Sequence, residues 1–152
     1  MYFPAATEPS LVVEDLGICK PIDHQRIISL LAIGLGVLYH REKAIALEPL
    51  PETVLDEGKT SRNDGPPAPD VSLRDNQLAQ TPIIIEICHT NGLKGDLRKV
   101  IQLKDEDDYG IREGFVYDYR TGKWLRYRFG DGGLTTESSF SEILQLDLSQ
   151  FL

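Results

Sequence analysis

A short apolar run with one carboxylate inside it is the feature that most constrains this 152-residue chain. The run is Pro82-Ile83-Ile84-Ile85-Glu86-Ile87-Cys88, and runs of this length that are rich in β-branched residues are typical of buried strands. An ionised Glu86 inside such a strand must be paired, metal-bound or protonated, because an isolated charge is costly to bury. The alternative is that Glu86 ends the strand with its carboxylate in water. From the residues alone we favour this second interpretation, with the Glu86 carboxylate in water.

The length predicts one domain with a core large enough to need no disulfide or structural metal. We assign residues 1–20 to an N-terminal arm and residues 21–152 to the single domain. Hydrophobic residues at 41% and charged residues at 26% are ordinary for a globular protein. The net charge of -8 argues against a broadly basic nucleic-acid-binding surface, though not against a local positive groove.

Cysteine usage and hydropathy predict a soluble cytoplasmic protein without a membrane partner. Cys19 and Cys88 lack metal-ligand spacing, and Cys88 falls in the predicted buried strand, which fits a reducing compartment. The N-terminus has no basic region of the signal-peptide kind. The longest apolar run, Ile27 to Leu38, is short for a bilayer and interrupted by glycine.

Helical and strand patterns alternate along the chain and predict an α/β fold. The first helix should run from His24 to about His40 with Asp23 as its N-cap, and we expect His24 to be a surface or capping residue. Strand-like runs follow over 44–51, 69–73, 82–88, 115–119 and 124–129, with a flexible loop over 56–69 and a second helix from Leu93 to at least Leu103.

Two carboxylates, Asp70 and Glu86, stand on consecutive strands that we expect to be antiparallel neighbours. Antiparallel pairing would bring both carboxylates to one end of the sheet. Hard cations prefer oxygen ligands, so the pair is a candidate site for Mg²⁺ or Mn²⁺. Such an ion activates bound water and polarises phosphate oxygens. A nearby lysine would orient that water or offset charge on the phosphate.

Five segments stand in an order and spacing that resemble a known family. They are Leu47-Glu48-Pro49-Leu50-Pro51-Glu52, Pro69-Asp70-Val71-Ser72-Leu73, Pro82 to Ile87, Asp96 with Lys99, and Gly110 to Asp118. Together they look like the Uma-type family of candidate bacterial endonucleases, long filed as a domain of unknown function, within the PD-(D/E)XK restriction-endonuclease-like superfamily. The resemblance covers roughly residues 22–152. It implies a restriction-endonuclease-like core, a small mixed β-sheet with helices on both faces.

The resemblance also implies roles for particular residues. Asp70 would be the aspartate of the PD motif and Glu86 the second metal-binding carboxylate. The superfamily often has a lysine two residues after that glutamate, where this chain has Cys88. In the Uma-type pattern the lysine follows an aspartate on the next helix. Here that aspartate is Asp96, and Lys99 stands one residue earlier than the family's lysine.

The implied function is a metal-dependent nuclease that uses Mg²⁺ or Mn²⁺ to hydrolyse phosphodiester bonds of nucleic acid, DNA before RNA. Its catalytic residues would be Asp70, Glu86 and Lys99, with Asp70 and Glu86 as metal ligands. The alternative is a binding or interaction module that keeps the nuclease fold without catalysis. The acidic net charge, Cys88 and the shifted lysine favour this alternative, whereas the retained carboxylate pair favours the enzyme.

The first helix is apolar nearly all round, and the hairpin around residues 115–129 is aromatic. Together they leave more apolar surface than one small sheet needs to cover. The sequence therefore predicts a homodimer with a two-fold axis.

Overall fold

A six-stranded mixed sheet with helices on both faces forms the centre of the fold. The computed structural model describes residues 21–55, 67–89, 95–96, 98–100, 109–128 and 136–152. The predicted arm over 1–20, Cys19, and most of the predicted 56–69 loop lie outside the described residues. The strands are β1 (Glu48–Pro51), β2 (Val71–Asp75), β3 (Gln80–Cys88), β4 (Glu113–Asp118), β5 (Lys123–Arg128) and β6 (Thr136–Glu137).

The strands lie in the sheet in the order of the chain, from β1 to β6. Neighbouring strands are antiparallel except for β3 and β4, which are parallel. The predicted antiparallel pairing of the strands that contain Val71 and Ile84 is therefore confirmed. A parallel pair needs a crossover connection. The crossover between β3 and β4 contains the helical residues 95–96 and 98–100, called the Lys99 helix below.

Helix α1 (Ile22–Gly36) packs on one face of the sheet and continues as a π-helical turn, Val37–Arg41. It buries a stripe at helical spacing that contains Ile28, Leu31 and Leu35. The predicted helix is confirmed, but its start is not. Pro21 is the N-cap, without a side-chain capping bond, and Asp23 lies in the first turn, where the positive end of the helix dipole favours a carboxylate.

Strand β3 is buried on both faces, as its unbroken apolar run predicts. Ile83, Ile85 and Ile87 belong to the core beneath α1, whereas Ile84 and Cys88 belong to a second core that includes Val100 of the Lys99 helix. Glu86 shares the face of Ile84 and Cys88, because side chains alternate along a strand. The prediction of an α/β restriction-endonuclease-like core with helices on both faces is confirmed.

Strand β1 is shorter than predicted. The predicted strand over 44–51 begins only at Glu48, because Lys43 has a positive φ of 55° and Ala44 donates its backbone N–H to Leu38 O at 2.8 Å. Ile45 and Leu47 are buried without strand pairing. The strand lies at the edge of the sheet, where proline is tolerated because one side needs no hydrogen-bond donor.

The C-terminal segment folds back beneath α1. It forms a small ribbon, β7 (Phe140–Ser141) with β8 (Leu146–Asp147), and ends in a 3₁₀ helix, Leu148–Phe151. Buried Glu113 of β4 fixes this ribbon by accepting a hydrogen bond from Ser141 Oγ at 2.6 Å and another from the backbone N–H of Glu142 at 2.8 Å. Glu113 is thus a structural carboxylate.

Residues Ile22–Arg41 are long and apolar enough to cross a membrane by length and composition alone. Their buried stripe, however, contacts the sheet and contributes to its core. Such a buried stripe is typical of a core helix of a globular domain.

Candidate active site

Asp70 and Glu86 face each other across the β2–β3 pair. Val71 is registered with Ile85, and continuing the antiparallel register by one residue sets Asp70 opposite Glu86. The backbone N–H of Ile87 donates to Asp70 Oδ2 at 2.8 Å, so the Asp70 carboxylate lies against the Glu86–Ile87 peptide. Both residues are buried, Asp70 with 5% and Glu86 with 2% of its surface exposed. Two carboxylates thus share one buried place.

Burial raises the pKa of the Glu86 carboxyl from its ordinary 4.5 to about 8. The positive charge of Lys99 opposes this rise, and the negative charges of Asp70 and Asp96 add to it. The alternative in which Glu86 ends a strand with its head in water is therefore wrong. Glu86 lies inside the strand and faces the second core.

Lys99 supplies the positive charge of this site. Its Nζ lies 2.8 Å from Glu86 Oε1, and 39% of its side chain is exposed. Burial lowers the pKa of the Lys99 ammonium, but the charges of Glu86, Asp70 and Asp96 and the hydrogen bond to Glu86 raise it above 10.5 overall. The lysine is charged at neutral pH and reaches from the buried carboxylate to the surface. Its shifted position in the sequence does not prevent this contact.

A close approach of helix to sheet makes the Lys99 contact possible. Gly114 of β4 is registered with Ile84 of β3, the residue two before Glu86 on the same face. A Cβ atom added at Gly114 would stand only 2.2 Å from Val100 Cγ1. The Lys99 helix therefore packs directly on glycine backbone, and Val100 brings its neighbour Lys99 down to the level of Glu86.

Cys88 occupies the position where the superfamily that the sequence resembles often has a lysine. Its side chain is buried, and burial raises the pKa of the thiol well above its ordinary value. The negative charges of Asp96, Asp118, Asp70 and Glu86 raise it further. Cys88 is accordingly a neutral, structural thiol beside the carboxylates, and the positive charge comes from the helix instead.

His24 is a residue of this site that the sequence-based interpretation missed. It was expected at the surface or as a cap, but only 3% of its surface is exposed and its Nε2 lies 3.3 Å from Asp70 Oδ2. The signal was present in the helical spacing. Positions 24, 28, 31 and 35 fall on one stripe, and the other three positions are the buried apolar residues of α1.

The donor set fits a hard divalent cation of the Mg²⁺ type. Mg²⁺ is commonly held by one or two carboxylates, with water and substrate phosphate as the other ligands. Asp70 and Glu86 are two such carboxylates. The raised pKa of Glu86 reflects its burial first and the negative charges of Asp70 and Asp96 second, and a bound cation would favour the ionised form. Within the part of the chain that the structure describes, no three His, Cys, Asp or Glu side chains form a metal-binding group. Asp70 and Glu86 are the side chains of the described residues that would hold the ion.

One solved structure shares the fold at low sequence identity. It is the 1.96 Å crystal structure of a candidate nuclease of the DUF820 family from Anabaena variabilis, with a TM-score of 0.56 and 14% identity over 87% of this chain and 81% of that chain. No protein-family profile matches the sequence, and no curated protein matches it. At this identity the likeness establishes the fold alone, an α/β core with a mixed sheet.

Proposed function

We propose that this protein is a metal-dependent nuclease that hydrolyses phosphodiester bonds of nucleic acid, with DNA as the first substrate to test. The observation that carries the proposal is the convergence of two buried carboxylates with one charged lysine at a single place in the sheet. Burial, together with the negative charges of Asp70 and Asp96, raises the pKa of Glu86, and a bound cation would favour its ionised form. The fold shared with a candidate nuclease supports the same class of activity.

Each residue of the site has a distinct task in this proposal. Asp70 and Glu86 would hold Mg²⁺ or Mn²⁺, which when bound supplies an activated water and polarises a phosphate oxygen. Lys99, charged and half-exposed beside Glu86, would offset the negative charge that develops on the phosphate. The buried surroundings strengthen these interactions, because the local dielectric constant is lower than that of water.

A cleavage assay tests the proposal. Purified protein with Mg²⁺ or Mn²⁺ should cut single- or double-stranded DNA or RNA, and EDTA should abolish the cleavage. Asp70→Asn and Glu86→Gln should each remove the activity almost completely, because loss of one ligand removes the metal and its activated water together. Lys99→Met should lower it by ~10²–10³-fold, the scale of losing one electrostatic stabiliser.

Two exposed residues provide matched controls, Glu137→Gln for the carboxylates and Lys123→Met for the lysine. Both control variants should cleave like the wild type. Cleavage that survives in Glu86→Gln would point to a contaminating nuclease. If no substrate is cut and calorimetry detects no Mn²⁺ binding, the protein is better explained as an interaction module on a nuclease fold.

We also propose that two copies associate through the exposed face of α1. Ile22, Leu30, Ile33 and Val37 are exposed apolar residues on this helix, called the α1 stripe below. The stripe is self-complementary, because two antiparallel copies centred near Leu30 bring Ile22 of one copy against Val37 of the other. A two-fold axis generates this pairing from a single surface.

A further inference from the structure

His24 is a buried polar residue that the proposed cleavage chemistry leaves unused. It lies in the first turn of α1, between the exposed residues Asp23 and Arg26 and on the buried stripe. Its Nε2 is within hydrogen-bonding distance of Asp70 Oδ2, at 3.3 Å. Burying a polar ring is costly unless the ring is hydrogen-bonded, and an apolar residue at this position would complete the buried stripe of α1 without that cost.

Two donors from different elements meet at the same oxygen atom. Asp70 Oδ2 accepts the backbone N–H of Ile87 from β3 at 2.8 Å, and His24 approaches it from α1. One donor alone leaves a carboxylate free to turn about that single bond. Two donors fixed in separate elements hold the carboxylate plane in one orientation, which a metal ligand needs because binding geometry tolerates errors of only about 0.5 Å.

The second ring nitrogen of His24, Nδ1, has different surroundings from Nε2. Nδ1 is buried and has no hydrogen-bond partner among the residues that the structure describes. The contact with Asp70 is therefore the polar contact that orients the ring within this part of the chain. A neutral imidazole with its proton on Nε2 donates to Asp70 and leaves Nδ1 as the acceptor.

We propose that His24 is a positioning residue for the metal site. Its Nε2–H, together with the N–H of Ile87, fixes the Asp70 carboxylate so that Asp70 and Glu86 bind one divalent cation. This inference rests on the proposed function, since it assigns Asp70 as a ligand. Hydrogen bonds that orient metal-binding groups typically contribute ~10–100-fold to metal affinity.

The first experiment compares two substitutions by calorimetric titration with Mn²⁺ alone. His24→Phe keeps a ring of similar size and removes the donor, so the Kd for Mn²⁺ should rise ~10–100-fold. His24→Gln restores an N–H donor at nearly the same reach, so its Kd should return to within about threefold of the wild-type value. His40→Phe, at an exposed histidine of the following π-helical turn, is the matched control and should leave the Kd unchanged.

Rescue by glutamine distinguishes positioning from a merely structural role. If the two His24 variants lost Mn²⁺ affinity equally, in step with their thermal midpoints, the ring would act through packing and the inference would be overturned. Wild-type affinity in a folded His24→Phe would overturn it too. A wild type that neither binds Mn²⁺ nor cleaves nucleic acid would instead defeat the proposed function itself.

A second measurement needs no metal and no substitution at His24. The chain has three histidines, so nitrogen NMR of the histidine rings can resolve each one. The Nε2–H of His24 should give a slowly exchanging signal in metal-free protein, and Asp70→Asn should shift it while leaving the His40 signals in place. An unchanged His24 signal in that variant would show that the ring does not hold Asp70.

Discussion

At the scale of single residues, the chemistry of the site follows from where charge is buried. Glu86 lies within a strand that is otherwise apolar, so the protonated carboxyl is favoured in the metal-free protein and its pKa rises to about 8. Asp70 differs, because its oxygen accepts a backbone hydrogen bond and contacts His24. The two neighbouring carboxylates thus have different surroundings, which is how one site can hold carboxyl groups with different pKa values.

The raised pKa of Glu86 predicts how the stability of the metal-free protein varies with pH. The folded protein holds this proton more tightly than the unfolded chain does. The contribution of Glu86 to stability is therefore full below pH 4.5 and is lost as the pH rises through about 8. The side chain of Glu86→Gln cannot ionise. The free energy of unfolding of this variant, relative to that of the wild type, should therefore increase between pH 5.5 and 8, by at most about 1.4 kcal/mol per pH unit.

Urea denaturation in EDTA at several pH values measures this difference. Subtracting the variant profile from the wild-type profile removes the titrations that both proteins share. Profiles that stay parallel across the range would contradict the assignment of a raised pKa to Glu86.

Substitutions at Asp70 should destabilise the protein according to whether an acceptor remains. The Asp70 carboxylate takes part in the fold, because its Oδ2 accepts the backbone N–H of Ile87 at 2.8 Å. Asp70→Ala leaves the buried N–H of Ile87 without its acceptor and should cost about 1–3 kcal/mol. Asp70→Asn keeps an oxygen there and should cost clearly less, as thermal or urea unfolding can measure. Equal losses in both variants would contradict the role of this hydrogen bond.

At the scale of helices and strands, hydrophobic periodicity was enough to predict most of the architecture. The continuous apolar run of β3 predicts its burial on both faces, and the helical spacing of α1 predicts its buried face. The alternation in β5 does not predict burial, since Arg126 is buried and Leu125 is only half-buried. The sequence could not predict contacts between distant elements. The burial of His24 depends on α1 meeting β2, and the reach of Lys99 depends on how closely its helix packs on Gly114.

Two glycines of α1 should respond oppositely to alanine. A Cβ at Gly34 would stand 2.2 Å from Phe151 Cδ1, so Gly34→Ala should force the C-terminal 3₁₀ helix away and cost about 1–3 kcal/mol. At Gly36 the nearest atom is 4.0 Å away. Gly36→Ala should therefore stabilise the helix by up to about 1 kcal/mol, the difference in helix propensity. Thermal unfolding of the two variants compares them, and a stabilised Gly34→Ala would show that Phe151 does not pack there.

At the scale of the whole molecule, one face of the sheet is covered by α1 while the far side of α1 remains open. The exposed fraction of Ile33 is 65%, and the rest of the α1 stripe is exposed beside it. Contiguous exposed apolar surface on a small domain commonly marks an interface. The proposed two-fold association through this stripe would also cover the surface from which the sequence predicted a dimer.

Sedimentation at about 100 μM should show a species twice the 17.0 kDa chain mass, since even a Kd of tens of μM gives association there. Ile33→Lys should convert it to the monomer, because each copy would have to bury an unpaired charge at the interface. Leu78→Lys is the matched control, since Leu78 is similarly exposed in the turn between β2 and β3. A wild type that sediments as a monomer would rule out this interface.

The glycine contact beneath the Lys99 helix has a consequence for the order in which the chain folds. Asp70 and Glu86 come together when one local β-hairpin forms, which closes only a short loop. Lys99 is set at its final height only when β4 docks beside β3 and Gly114 receives Val100, and this parallel pairing is slower to form. In a partly folded chain, Asp70 and Glu86 therefore lie side by side before the Lys99 ammonium reaches its final position. Repulsion between the two ionised carboxylates would slow this stage of folding, and the charge of Lys99 would oppose it only after β4 has docked.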